Sequence, residues 1–147
     1  MQLESFAFYI SVLRKQFVSY CSEKLAEVGL TYGQLYIIIY IGRRKECSPK
    51  EISTFLRLDA GHINRTLSKL IESGHVIQEK NPRDKRANIV SLTEKGKEVF
   101  KMSYNLFRDW DRETLSSIDD DEKEKLMDVM KEITLNLKKQ VDRKGSK

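Results

Sequence analysis

The sequence has little of what would mark a membrane, secreted or metal-dependent protein. Its longest uninterrupted apolar run, Leu35 to Ile41, falls well short of the about 20 residues an α-helix needs to cross a bilayer. No basic leader followed by an apolar core opens the chain, so a cytoplasmic protein without a membrane partner is expected. Cysteine occurs only at Cys21 and Cys47, too far apart and too few for a disulfide framework or a zinc cluster, so reduced thiols are expected. Histidine is equally sparse, at His62 and His75, and no nucleophile motif is present. Neither an enzyme, a metal centre nor a cofactor is expected.

Charge is plentiful. Of 147 residues 33% are charged and only 39% are hydrophobic, with a net charge of +5 and a pI of about 9.1. The length fits one domain, or one domain with a dimerisation extension. The low apolar share fits a helical, elongated chain that completes its core by pairing with a copy of itself. The mild basic excess permits nucleic-acid binding without establishing it.

Apolar periodicity then divides the chain. Leu3, Phe6, Ile10, Leu13 and Phe17 alternate spacings of three and four, and Tyr20, Cys21, Leu25 and Val28 extend the stripe to Gly29, so one long amphipathic helix is predicted. Thr31 and Gln34 have capping-box form before an almost wholly apolar run, which predicts a central helix although its β-branched residues also suit a strand. Ser48-Pro49-Lys50-Glu51 is a second capping box with proline at the first helical position. Ile52, Phe55 and Leu56 are predicted to face inward from this short helix. Leu58-Asp59 interrupts it, and Asp59 caps the next, whose inner face is predicted as Ile63, Leu67, Leu70 and Ile71. His75 to Lys80 and Ala87 to Leu92 read as strands around the turn Asn81-Pro82-Arg83-Asp84-Lys85-Arg86. Thr93 caps a long helix, and the acidic run Asp119 to Glu122 opens a last one carrying Leu126, Met130, Ile133, Leu137 and Val141.

The predicted fold is therefore mainly α with a small β-hairpin wing. It is a winged helix-turn-helix at residues 31–96, a connecting helix at 97–114, and N- and C-terminal helices at 1–30 and 115–147 that form a dimerisation region. Such a unit presents one helix and one loop to a DNA duplex. On the second helix, Ala60 and Gly61 permit close approach, His62, Asn64 and Arg65 reach base edges or phosphates, and Lys69 suits a phosphate, as does Lys50. At the hairpin, Arg83, Lys85 and Arg86 form a basic tip, and a protruding arginine there fits a minor groove. Asp84 is read as bracing the loop or a neighbouring arginine. The plainer alternatives are a solvated helix face and a solvated turn.

Three stretches together, Gly74-His75-Val76-Ile77, Asn81-Pro82-Arg83-Asp84-Lys85-Arg86 and Val90-Ser91-Leu92-Thr93-Glu94-Lys95-Gly96, resemble the signature of the MarR family of bacterial transcriptional regulators, and Thr31 with Gln34 also fits. The resemblance runs from about Leu3 to Val141. It implies a homodimer joined through its first and last helices, probing double-stranded DNA at a pseudo-palindromic operator, with Arg86 as the wing arginine and Gly61, His62, Asn64 and Arg65 where the recognition helix meets the major groove. His62 and Asn64 depart from the small hydroxyl residues many members carry, so no operator sequence carries over. Members often bind small aromatic or phenolic anions beside the dimer region. Tyr9, Arg14, Tyr32, Tyr36 and Tyr40 are the candidates for such an effector crevice, with helix-on-helix packing as the alternative. A peroxide-sensing subgroup places its cysteine near the start of the first helix, where this chain has Phe6-Ala7-Phe8, so Cys21 and Cys47 are weak redox candidates. A regulator, most simply a repressor, is the leading expectation. A winged-helix protein–protein interaction module and a thiol-based sensor are the alternatives.

Overall fold

The computed structural model describes residues 4–145. Leu3, the first residue of the predicted stripe, lies outside the described residues. The order is α1 (Phe6–Ala26), α2 (Tyr32–Arg44), β1 (Glu46–Cys47), α3 (Pro49–Leu56), α4 (Ala60–Glu72), β2 (Val76–Asn81), β3 (Asp84–Leu92), α5 (Glu94–Thr114) and α6 (Asp120–Gly145). Two compact units result, Met1–Arg108 and Asp109–Lys147, with the division inside α5.

Local chemistry sets the helix ends. Ser5 caps α1 through a hydrogen bond from the Phe8 amide, and Gly29 closes the far end at φ +72°, where Leu30 N–H donates to the Leu25 carbonyl. Both capping boxes form. The Gln34 amide donates to Thr31 Oγ1 while Thr31 N–H donates to the Gln34 side chain, and the Ser48 and Glu51 pair repeats the pattern. The run in α2 is a helix, not a strand, as its Thr31–Gln34 capping box favours. Its Leu35, Ile37, Ile38 and Ile41 are fully buried.

The core of the first unit gathers Cys21 and Leu25 from α1, those α2 residues, Ile52 from α3, Ile63, Leu67 and Leu70 from α4, Val76, Val90 and Leu92 from the sheet, and Val99 and Leu106 from α5. Three residues predicted to face inward are not in it, and of these Leu56 is partly buried against it. Phe55 is 65% exposed, its ring resting on Tyr40 at 4.8 Å between centroids, and Ile71 is 38% exposed. The helices α3 and α4 bury a narrower stripe than their apolar spacing suggested.

The sheet is antiparallel in the order β1-β3-β2. The two-residue strand β1, absent from the sequence reading, pairs Cys47 with Val90 at the root of the hairpin. The hairpin itself runs further than predicted. Asn81 pairs with Asp84, with an irregularity after Lys80, so the turn narrows to Pro82-Arg83 and Lys85 and Arg86 belong to β3. Ser73 to His75 tie this hairpin to α5. Thr93 N–H donates to the His75 carbonyl, Thr93 Oγ1 donates to the Gly74 carbonyl, and Thr93 Oγ1 accepts from the Gly96 amide. Gly96 is required here, since a Cβ would run into the His75 carbonyl.

In α6 no described residue is buried, and Leu126, Met127, Val129, Leu135 and Leu137 are all exposed. The first half of α1 likewise leaves Phe6, Tyr9 and Leu13 open, so its stripe is buried only at Cys21 and Leu25.

Candidate nucleic-acid interface

Two short helices joined by a tight turn build the first part of the site. Arg57 ends α3 in the left-handed conformation at φ 55°, and Leu58 N–H donates to the Ser53 carbonyl while Ser53 Oγ donates back to the Leu58 carbonyl at 2.6 Å. Sequence reading places the break at Leu58-Asp59. The structure moves its cause to Arg57, which gives no signal because positive φ is ordinarily read from glycine or asparagine. Asp59 then caps α4 by accepting from the His62 amide at 3.2 Å.

With Ile63, Leu67 and Leu70 turned into the core, the opposite face of α4 presents Ala60, His62, Asn64, Arg65 and Lys69 to solvent, with Gly61 half-buried. The Arg65 guanidinium lies back over Gly61: a Cβ there would sit 3.1 Å from Nη1. Thr66 and Ser68 return their hydroxyls to the His62 and Asn64 carbonyls, which takes those hydroxyls out of use and leaves the longer side chains outermost. Lys50 is exposed at the start of α3.

The wing is the second part. Arg83 stands at the turn, where its amide donates to Asn81 Oδ1 at 2.9 Å. Asp84 Oδ1 accepts from the Arg86 amide at 3.0 Å, so the carboxylate braces backbone, one of its two sequence readings. Lys85 and Arg86 are exposed and, as successive strand residues, project to opposite faces. Asp84 thus stiffens the backbone between the turn and Arg86 without neutralising the tip by an ion pair among the described residues.

Of the five effector candidates, three come together. Tyr32 and Tyr36 share a hydrogen bond of 2.9 Å with ring centroids 5.0 Å apart, and Arg14 lies near enough to oppose the rise in the Tyr36 pKa. Burial, then the bond from Tyr32, pushes that phenol well above its usual range, so it stays protonated. Tyr40 turns instead to Phe55, and Tyr9 to Phe8. Phe17 meets Tyr32 and Phe107 edge-on, so packing explains part of this cluster.

The thiols are poorly placed for redox sensing. Cys21 is fully buried and burial pushes its pKa up to about 11; Cys47 is pushed up to about 12 by burial and then by Glu51, against a smaller pull from Arg44. Neither carries thiolate at neutral pH, and thiolate is the reactive form. Among the described residues no cluster of three or more His, Cys, Asp or Glu side chains is placed to hold a metal ion, and no helix is long and apolar enough to cross a membrane.

A helix-turn-helix with an exposed polar second helix, followed by a basic two-stranded wing, defines a winged-helix DNA-binding protein. Comparison with known proteins makes the class specific. The model of the MarR family matches residues 28–87. The HTH-type transcriptional regulator BilQ of Clostridium symbiosum is 34% identical over 130 residues, covering 88% of this chain and 90% of that protein. Reduced MarR from E. coli superposes with a TM-score of 0.82 at 25% identity, over 90% of this chain and 98% of that one. A cysteine-to-serine mutant of E. coli MarR solved in complex with operator DNA gives a TM-score of 0.74 at 25% identity, over 86% and 91%. The chain belongs to the MarR family: it is a DNA-binding transcriptional regulator, not an enzyme.

Proposed function

We propose that the chain is a repressor that binds a pseudo-palindromic operator as a homodimer. The observation that carries this reading is the pairing, in one compact unit, of the free polar face of α4 with a braced basic wing. In it, Ala60 and Gly61 let α4 approach the major groove, His62, Asn64 and Arg65 read base edges, and Lys50 and Lys69 hold phosphates that set the register. Arg83, Lys85 and Arg86 follow the backbone into the adjacent minor groove, with Arg86 inserted and Asp84 holding its backbone. One fact supports a second copy: the apolar residues of α6 and of the first half of α1 are exposed in the single chain. A dimer joined there sets two recognition helices about one turn of DNA, roughly 10 base pairs, apart.

Arg14, Tyr32 and Tyr36 are the part of the predicted crevice that supports an aromatic or phenolic effector. Such a ligand releases DNA only by favouring a dimer with wrongly spaced α4 helices. The test is a titration of the protein with its own upstream DNA and with random duplex at several salt concentrations. Operator affinity far above random, with a steep salt slope, is expected. Equal binding to both at every salt concentration overturns this reading in favour of a protein-interaction module.

A further inference from the structure

The Arg65 guanidinium has a definite place in the free chain. Side chains on an α-helix lean back toward its N-terminus, so Arg65 leans over Gly61, one turn earlier. Gly61 has no Cβ, and its neighbours use the space. A Cβ there would lie 3.1 Å from Arg65 Nη1 and 2.9 Å from Asp59 Oδ2. Guanidinium and carboxylate thus converge over the first turn of α4, and both residues are exposed. We propose that Asp59 is a positioning residue for base reading, holding the Arg65 guanidinium over Gly61 in the orientation that takes a guanine. This rests on the reading in which Arg65 meets base edges, and adds to it a second residue and a base.

Beyond that convergence, the anchorage of the carboxylate supports the role. Asp59 Oδ2 accepts from the His62 amide at 3.2 Å, which ties the group to the helix it caps. Its second oxygen remains an acceptor for a guanidinium N–H. Arginine has donors enough for both partners. One pair of its N–H groups serves guanine O6 and N7, and the rest stay free for a carboxylate at the side. Charge points the same way. A helix cap needs only an acceptor oxygen, which serine or asparagine supplies about as well as aspartate. A carboxylate on the face turned to a duplex is repelled by the phosphates, so Asp59 weakens contact with DNA in general. Its benefit falls on the base pair that Arg65 reads. As the duplex excludes water from this face, the attraction between Asp59 and Arg65 strengthens, and the guanidinium is fixed while it reads.

The test uses the full chain with its own upstream duplex, copies of that duplex with one base pair exchanged, and a random duplex. Asp59→Ser keeps a capping oxygen and removes the charge. It should hold the urea midpoint of the unaltered chain and bind the random duplex at least as tightly. It should lose about tenfold in discrimination at one guanine, the same one that Arg65→Ala relaxes. The double variant should lose no more than Arg65→Ala alone, because the two residues act as a unit. Asp59→Asn, close to aspartate in shape, should repeat the pattern. An equal loss on every duplex overturns the proposal, since Asp59 then serves the helix alone. Discrimination that survives in both Asp59 variants also overturns it, as does a loss at a base pair that Arg65→Ala leaves untouched. Those outcomes leave the operator reading standing. Equal binding of the unaltered chain to upstream and random duplex overturns both.

Discussion

Helices α2 and α6 both carry many apolar residues and end in opposite situations. Four residues of α2, Leu35, Ile37, Ile38 and Ile41, are fully buried in one chain, whereas α6 has none buried along its whole length. One helix is finished by its own chain and the other is not. The first unit holds a closed core that carries α4 and the wing, while the apolar residues of α6 are exposed. A rigid reader and an incomplete helix are therefore different solutions within one sequence.

The contrast can be broken most severely at α6. Deleting residues 126–147 should abolish the dimer and with it high-affinity operator binding, and sedimentation velocity checks this; a truncated chain that remains dimeric contradicts the account. In α2 the effect should fall on folding instead. Ile38→Ala should lower stability by about 2–5 kcal/mol in urea unfolding, because the cavity it leaves lies in a closed core. Leu137→Ala in exposed α6 should cost the folded single chain far less, and equal costs would erase the distinction. On the reader, Arg86→Ala should weaken operator binding by about 1–3 kcal/mol in anisotropy titrations with the dimer intact. Unchanged affinity would remove Arg86 from the interface.

The smallest effect concerns pH. His75 is buried where the hairpin meets α5, its Nδ1 bonded to Ser73 Oγ at 2.7 Å and its Nε2 without a partner. Burial, then Lys95, holds its pKa below the ordinary 6.5. The folded chain thus keeps the neutral ring where the unfolded chain takes up a proton. This contribution is complete above 6.5 and is lost as pH falls below it. Urea unfolding between pH 7.5 and 5.5 should show a shallower decline for His75→Leu than for the unaltered chain; parallel slopes would clear His75 of any part.

Legibility in the sequence followed the range of each interaction. Both capping boxes, the Asp59 cap and the Thr93 cap could be read because each joins residues three apart. The wing strands were underestimated because the partner across the turn, not the local composition, decides that Asp84 pairs with Asn81. Strand β1 left no trace, since two residues have no period and Val90 lies far along the chain from Cys47. Phe55 and Ile71 were placed inward because spacing reports a face but not how much of it is covered. The exposed polar face of α4 and the basic hairpin tip are readable because both are continuous stretches.

On the proposed reading, two incomplete chains present two complete readers to one operator. Sedimentation of the protein on a single operator duplex tests it most directly. The account predicts two chains per duplex, bound together, and no intermediate with one chain at high affinity. A complex of one chain per duplex, with the affinity and sequence preference of the full protein, would contradict it.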